Sequence, residues 1–200
     1  MSASVRPRCR PRPGSGTRAS QRGATLIEVL VSVVIVLVAL LGTAGMIARS
    51  GQTEMESYQR GQALTLLQDM VARLNANRQV IGCYANGANA TVAGSTTVPP
   101  AACTAGTDAQ RAVAAADLAS WGAALQGSAE ADGSNKVGAM IGALGCIEAI
   151  DPATQTYRVT VAWQGLAKTA APALPCGQNQ FGNDANRRAV SVQVRIGMLS

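Results

Sequence analysis

Glu28 is the residue whose chemistry makes the sharpest demand on its surroundings. It stands at the head of an apolar run in which Val29–Ala48, 20 residues, carries no charge. A carboxylate in hydrocarbon is costly and needs a partner, so an acid at this place reads first as functional. Elsewhere the chain is poor in reactive constellations. It contains no histidine, which excludes Ser-His-Asp and Cys-His catalysis. Its five cysteines include no C-x-x-C pair, so common zinc spacings are absent and no metal or other cofactor is expected. Asp117, Glu130, Asp132, Glu148 and Asp151 follow no spacing that builds an acid–base pair and read as solvated surface.

The elements around these residues follow from periodicity. At about 1.5 Å per residue the uncharged run spans roughly 30 Å, the thickness of a bilayer's hydrocarbon core. Beyond Ala48 the composition turns polar, but Arg49 to Gln79 holds no proline. Leu64, Leu67, Val71 and Leu74 recur at 3, 4 and 3 residues, one face of a helix, with Arg60, Gln68, Asp69 and Arg73 for the other side. One helix from about Ala24 to Gln79, roughly 80 Å long, is expected, apolar all round in its first half and amphipathic in its second. Gly42 and Gly45 lie inside the apolar half, either to loosen it or to let helices pack closely. Gly82 is expected to end the helix.

Cys83 to Val98 is small, polar and glycine-bearing, and Pro99-Pro100 stops any helix, so this stretch reads as loop. Thr107 or Asp108 is a plausible N-cap and Gly127 a plausible stop for a short helix carrying Leu118, Trp121 and Leu125 on one face. Trp121 reads as a core anchor. In the last quarter, Tyr157, Val159, Val161 and Trp163 alternate with Arg158, Thr160, Ala162 and Gln164. Val190, Val192, Val194 and Ile196 alternate with Ser191, Gln193 and Arg195. Both are half-buried strand patterns, and a weaker strand covers about Gly142 to Ala149. The expected fold class is α+β: a long N-terminal helix packed under a small antiparallel β-sheet, with a short helix beside it.

Arg22-Gly23-Ala24-Thr25-Leu26-Ile27-Glu28, with a basic leader before it and a long apolar helix after it, resembles the N-terminus of type IV prepilins. Gly23, Thr25, Leu26, Ile27 and Glu28 match the family pattern position by position, while Ala24 stands where Phe is more usual. The resemblance implies cleavage between Gly23 and Ala24 by a prepilin peptidase and N-methylation of the new Ala24 amine. It also implies an assembly role for Glu28, whose carboxylate would meet the amine of a neighbouring subunit and set axial register. Buried opposite charges then offset part of one another's desolvation. The expected organisation is a leader over 1–23, a transmembrane and assembly half over 24–48, an amphipathic half over 49–81 and a globular head over 82–200.

Net charge changes meaning under that division. The chain carries +6, but the leader holds six arginines (Arg6, Arg8, Arg10, Arg12, Arg18 and Arg22) and no acid. Taking these six from 17 basic residues leaves 11, against 11 acids, so the mature chain is formally neutral. The arginines fit the positive-inside rule, which holds the N-terminus in the cytoplasm and sends the rest outward. The resemblance implies that the head faces the periplasm and then belongs to a pilus at the cell surface. With Cys9 in the leader, four cysteines remain in a domain delivered outside the cytoplasm, an arrangement that suggests disulfides. Of three connectivities, Cys83–Cys103 with Cys146–Cys176 closes the shorter loops.

The C-terminal half narrows the resemblance. Tyr157 to Gly165 (YRVTVAWQG), Pro175-Cys176-Gly177, Arg187-Arg188 before the last strand, and Ala116-Asp117-Leu118-Ala119-Ser120-Trp121 look like minor pilins of the type IV pilus modification protein PilV family. That resemblance implies a non-enzymatic subunit that acts in initiation of pilus assembly and sits at or near the tip. Its partners would be other minor pilins, the major pilin, the prepilin peptidase, the inner-membrane assembly platform and a tip adhesin. A minor pseudopilin of a type II secretion system is the alternative, since it shares the anchor, the cut and the helix. A DNA-uptake receptor would need the cluster Arg187, Arg188 and Arg195. The neutral mature charge gives little attraction to phosphates, so nucleic acid is an unlikely partner.

Overall fold

The computed structural model describes residues 23–85, 103–127, 131–132, 135–136 and 140–197. The leader apart from Gly23, Cys9 within it, and most of the loop from Cys83 to Val98 lie outside the described residues. Helix α1 runs over Leu26–Ala76, followed by a 3-10 helix at Arg78–Cys83, and α2 covers Asp108–Leu125. Two short strands, β1 (Ala131–Asp132) and β2 (Asn135–Lys136), pair antiparallel. Strands β3 (Ile141–Asp151), β4 (Thr156–Gln164) and β5 (Arg187–Arg195) form an antiparallel sheet in the order β3-β4-β5. The chain is therefore α+β, a long N-terminal helix with a small three-stranded sheet.

Contacts divide the chain into two units, 1–46 and 47–200. In the first, helix α1 presents its apolar side chains, from Leu26 to Met46, on every side. In the second, one face of α1 (Gln59, Ala63, Leu67, Met70 and Leu74) is buried in the main core. This stripe differs from the leucine pattern expected from spacing. Leu64 points outward and is 43 % exposed, while Met70 and the small Ala63 take inward places. The reason is Trp163, whose indole Nε1 donates to Gln59 Oε1 at 3.2 Å and draws a polar side chain into the interior. Continuing the 3.6-residue period from Gln59 selects Ala63, Leu67, Met70 and Leu74.

Helix α2 starts as its sequence requires. Thr107 caps it, and Gln110 returns the bond in a reciprocal capping box. Ala114, Leu118, Trp121 and Leu125 face the core. Trp121 is wholly buried, and its indole Nε1 donates to the Leu66 carbonyl at 2.8 Å, tying α2 to α1. Its ring lies on Gly145 of β3, where a Cβ would come within 2.2 Å of Cη2 and 2.8 Å of Leu125 Cδ1. The helix thus rests on the sheet backbone itself. Gly145→Val is expected to destabilise the head by about 2–3 kcal/mol, because neither the buried ring nor the strand has room to move. Thermal unfolding measures this, and an unchanged Tm would contradict the packing described.

Alternation describes β4 correctly on the helix side, where Tyr157, Val159, Val161 and Trp163 join the main core. The opposite face, expected to be open, is buried at Thr160 and Ala162. The cause is the segment between β4 and β5. It lays Cys176 and Phe181 over Leu144, Cys146 and Ala162, forming a second apolar cluster on the far side of the sheet. Cys146 and Cys176 are joined by a disulfide, as are Cys83 and Cys103.

Candidate assembly site

The described chain opens on Gly23, Ala24 and Thr25 outside any helix, all exposed. Thr25 then starts α1. Its carbonyl accepts from the Glu28 amide at 3.0 Å and the Val29 amide at 3.2 Å, and its Oγ1 lies 3.4 Å from the Glu28 amide nitrogen. The spacing Thr25-x-x-Glu28 is a helix-start signature that motif matching alone passes over. It fixes Glu28 in the first turn of the helix, where the positive end of the helix dipole favours a carboxylate. The bond between Gly23 and Ala24 therefore lies outside regular secondary structure just before the helix, with the acid just inside it. Among the described residues no side chain crowds Gly23, so none of them requires glycine there.

Behind this turn, the uncharged segment is continuous helix, including Gly42 and Gly45. Ser32 and Thr43 turn their hydroxyls back onto the carbonyls of Glu28 and Leu40, so their polarity is satisfied within the helix. By length and composition this helix can cross a membrane, and none of its most apolar window is buried by the chain. Such a surface has to be covered by lipid or by other helices.

Gly165, Cys176, Gly177, Arg187 and Arg188, among the residues that carry the C-terminal resemblance, come together as one construction, while Ala116–Trp121 lie apart on α2. Gly165 donates its amide to the Asn186 carbonyl at 2.8 Å, and a Cβ there would lie 2.7 Å from Arg188 Cζ. Gly177, next to the disulfide, adopts a φ of +68° with a would-be Cβ 3.0 Å from the Phe181 ring, so glycine answers both demands. Arg187 is the centre of the construction. It is 1 % exposed and donates to the carbonyls of Pro172, Leu174 and Cys176 at 2.9, 2.5 and 3.0 Å. It also makes a forked pair with Asp184 at 2.7 and 2.8 Å. Arg188 pairs with Glu56 of α1 at 3.0 Å and donates to the Ala167 carbonyl at 2.7 Å.

These partners break up the cluster of Arg187, Arg188 and Arg195 that a DNA-uptake receptor would need. Arg187 and Arg188 are consumed in holding the β4–β5 segment, and only Arg195 is left exposed on the strand. Arg187 holds the Asp184 carboxyl below the ordinary carboxylate range, chiefly through its hydrogen bonds. A carboxyl depressed on folding contributes stability above its unfolded pKa of about 3.9, and that stability is lost as pH falls through the lower folded value. Acid unfolding of the wild type is therefore expected to show a steeper fall in Tm below about pH 4 than Asp184→Asn, in which other depressed carboxyls such as Asp151 still titrate. Parallel pH profiles for the two would contradict this.

Of the remaining acids, Asp117, Glu148 and Asp151 have partners within the head. Asp117 accepts from Arg73 at 2.9 Å and from the Tyr84 hydroxyl at 2.6 Å, and burial together with that bond pushes the phenol well above its ordinary range. Glu148 pairs with Arg158 across β3 and β4 at 3.2 Å, and Asp151 caps the following turn through Thr154 and Ala153. The side chains of Glu130 and Asp132 lie outside the described residues. Among the described residues no group of three His, Cys, Asp or Glu could hold a metal ion.

Residues 18–44 match the prokaryotic N-terminal methylation motif. No curated protein and no solved structure matches the chain. The motif supports a structural protein of the type IV pilin or pseudopilin kind, one that interacts with other pilus components and the prepilin peptidase. With the single N-terminal apolar helix, it fits an inner-membrane-anchored pilin.

Proposed function

We propose that the chain is a minor pilin of a type IV pilus, of the PilV kind, acting in initiation of assembly and incorporated at or near the tip. The observation that carries the pilin-type part of this reading is the methylation motif set at the mouth of a helix whose apolar half is open on all sides, and the head residues that resemble PilV proteins tilt it to the pilus. The leader 1–23 is removed after Gly23, and Ala24 becomes the methylated N-terminus. Residues 24–48 hold the subunit in the inner membrane and then in the filament. The head, 82–200, faces the periplasm and afterwards the surface, and the amphipathic part over 49–81 carries it.

Three features support the details. No described residue crowds Gly23, and glycine there suits recognition by a peptidase. Glu28 is the one charge among hydrophobic neighbours, in the turn nearest the new amine. The interlocking of Gly165, Cys176, Gly177, Arg187 and Arg188 gives a structural reason for part of the set by which the head resembles PilV proteins. The motif alone suits a minor pseudopilin of a type II secretion system equally well. Deleting the gene separates the two: loss of surface filaments with normal protein secretion is the expected result, and the reverse pattern would establish the pseudopilin.

A further inference from the structure

The two edges of the sheet differ. β3 carries register shifts between Ile141 and Leu144 and between Ala149 and Asp151. β5 pairs with β4 without a shift from Arg187 to Arg195 and has no second neighbour among the described strands. Bulges and prolines are devices that stop an edge from recruiting another strand, and β5 has neither. Its apolar row is also incompletely covered: Val190 and Val194 are half-buried, and Val192 is 36 % exposed.

Beside this edge lies a cleft of about 370 Å³, lined on α1 by Thr53, Glu56, Ser57 and Arg60 and on the sheet by Trp163 and residues 188–190. Glu56 is already held by Arg188 and by the Ala167 amide. Arg60 is exposed and makes no hydrogen bond or ion pair with any described residue. Among the described residues the cleft thus keeps one positive charge in excess, next to backbone groups that no described strand pairs.

We propose that the β5 edge and its cleft accept an extended segment of another pilin-type subunit, added as a fourth strand, with an acidic side chain meeting Arg60. This rests on the minor-pilin reading for the kind of partner. Backbone pairing supplies affinity, and the carboxylate at Arg60 supplies choice of partner.

The test uses the full chain in its own membrane. A photoreactive benzophenone side chain is placed in turn at Ser191, Val192 and Gln193, with Val113 on the exposed side of α2 as control, and adducts are mapped by mass spectrometry. The expected result is an adduct to one segment of another pilin-type subunit, stepping along it in register with the probe, containing Asp or Glu, and absent from Val113. Arg60→Glu should lower its yield about fivefold or more, and exchange of the partner's acid for lysine should restore it. No adduct, adducts to lipid or to β5 of a second copy, scattered adducts without register, or a yield indifferent to Arg60→Glu would each overturn the proposal. In-register adducts in the membrane with none in filaments would uphold this edge while overturning the filament role.

Discussion

Glu28→Leu is expected to leave the protein cleaved and in the membrane while its amount in filaments falls at least tenfold. The substitution suits the helix better than the native residue does. Leucine propagates an α-helix as well as glutamate, the neighbours are apolar, and the segment would enter a bilayer more readily. A defect in assembly would therefore come from what the carboxylate does between chains. Removing one member of a buried ion pair leaves the other charge uncompensated, at a cost of about 3–5 kcal/mol, and each 1.4 kcal/mol is a factor of ten. Glu28→Asp keeps the charge on a shorter arm and should fall between the two. Immunoblots of sheared filaments and membranes measure all three, and normal incorporation of the leucine variant would remove Glu28 from the account.

Arg187→Ala is expected to destabilise the head by about 3 kcal/mol or more. The guanidinium satisfies three backbone carbonyls and one carboxylate at once, from a position where only 1 % of it meets solvent. Truncation to alanine leaves buried acceptors without donors and opens a space beneath Cys176. Lysine supplies the charge but not the planar fork, so Arg187→Lys should recover only part of the loss. The second apolar cluster, Leu144, Cys146, Ala162, Cys176 and Phe181, would lose the segment that covers it. Thermal or urea unfolding reads the difference, with increased dye binding as the sign of an uncovered sheet face. A variant as stable as wild type would mean that the disulfide alone keeps the segment in place.

Much of the architecture is legible in local patterns. The apolar run, the two valine-rich alternations and the cap at Thr107 are short-range signals, and each corresponds to the element it marks. What the pattern leaves hidden depends on partners far apart in the chain. Gln59 is buried because of Trp163, 104 residues away. Thr160 and Ala162 are covered because the 165–187 segment folds back, which no period in β4 could indicate. Arg187 reads as surface in any composition rule, and only its ring of carbonyl acceptors explains its burial. At the N-terminus, Thr25 as helix cap was available from the spacing to Glu28 and adds a structural role to a residue otherwise noticed for its motif alone.

The central claim is that a cut at Gly23 creates a filament subunit with its N-terminus at Ala24. Mass spectrometry of the protein recovered from sheared filaments, and separately from membranes, tests it most directly. The expected result is a filament-derived peptide that begins at methylated Ala24 and contains Glu28. An intact leader in both fractions, or a processed protein confined to the membrane while filaments form normally without it, would contradict the claim.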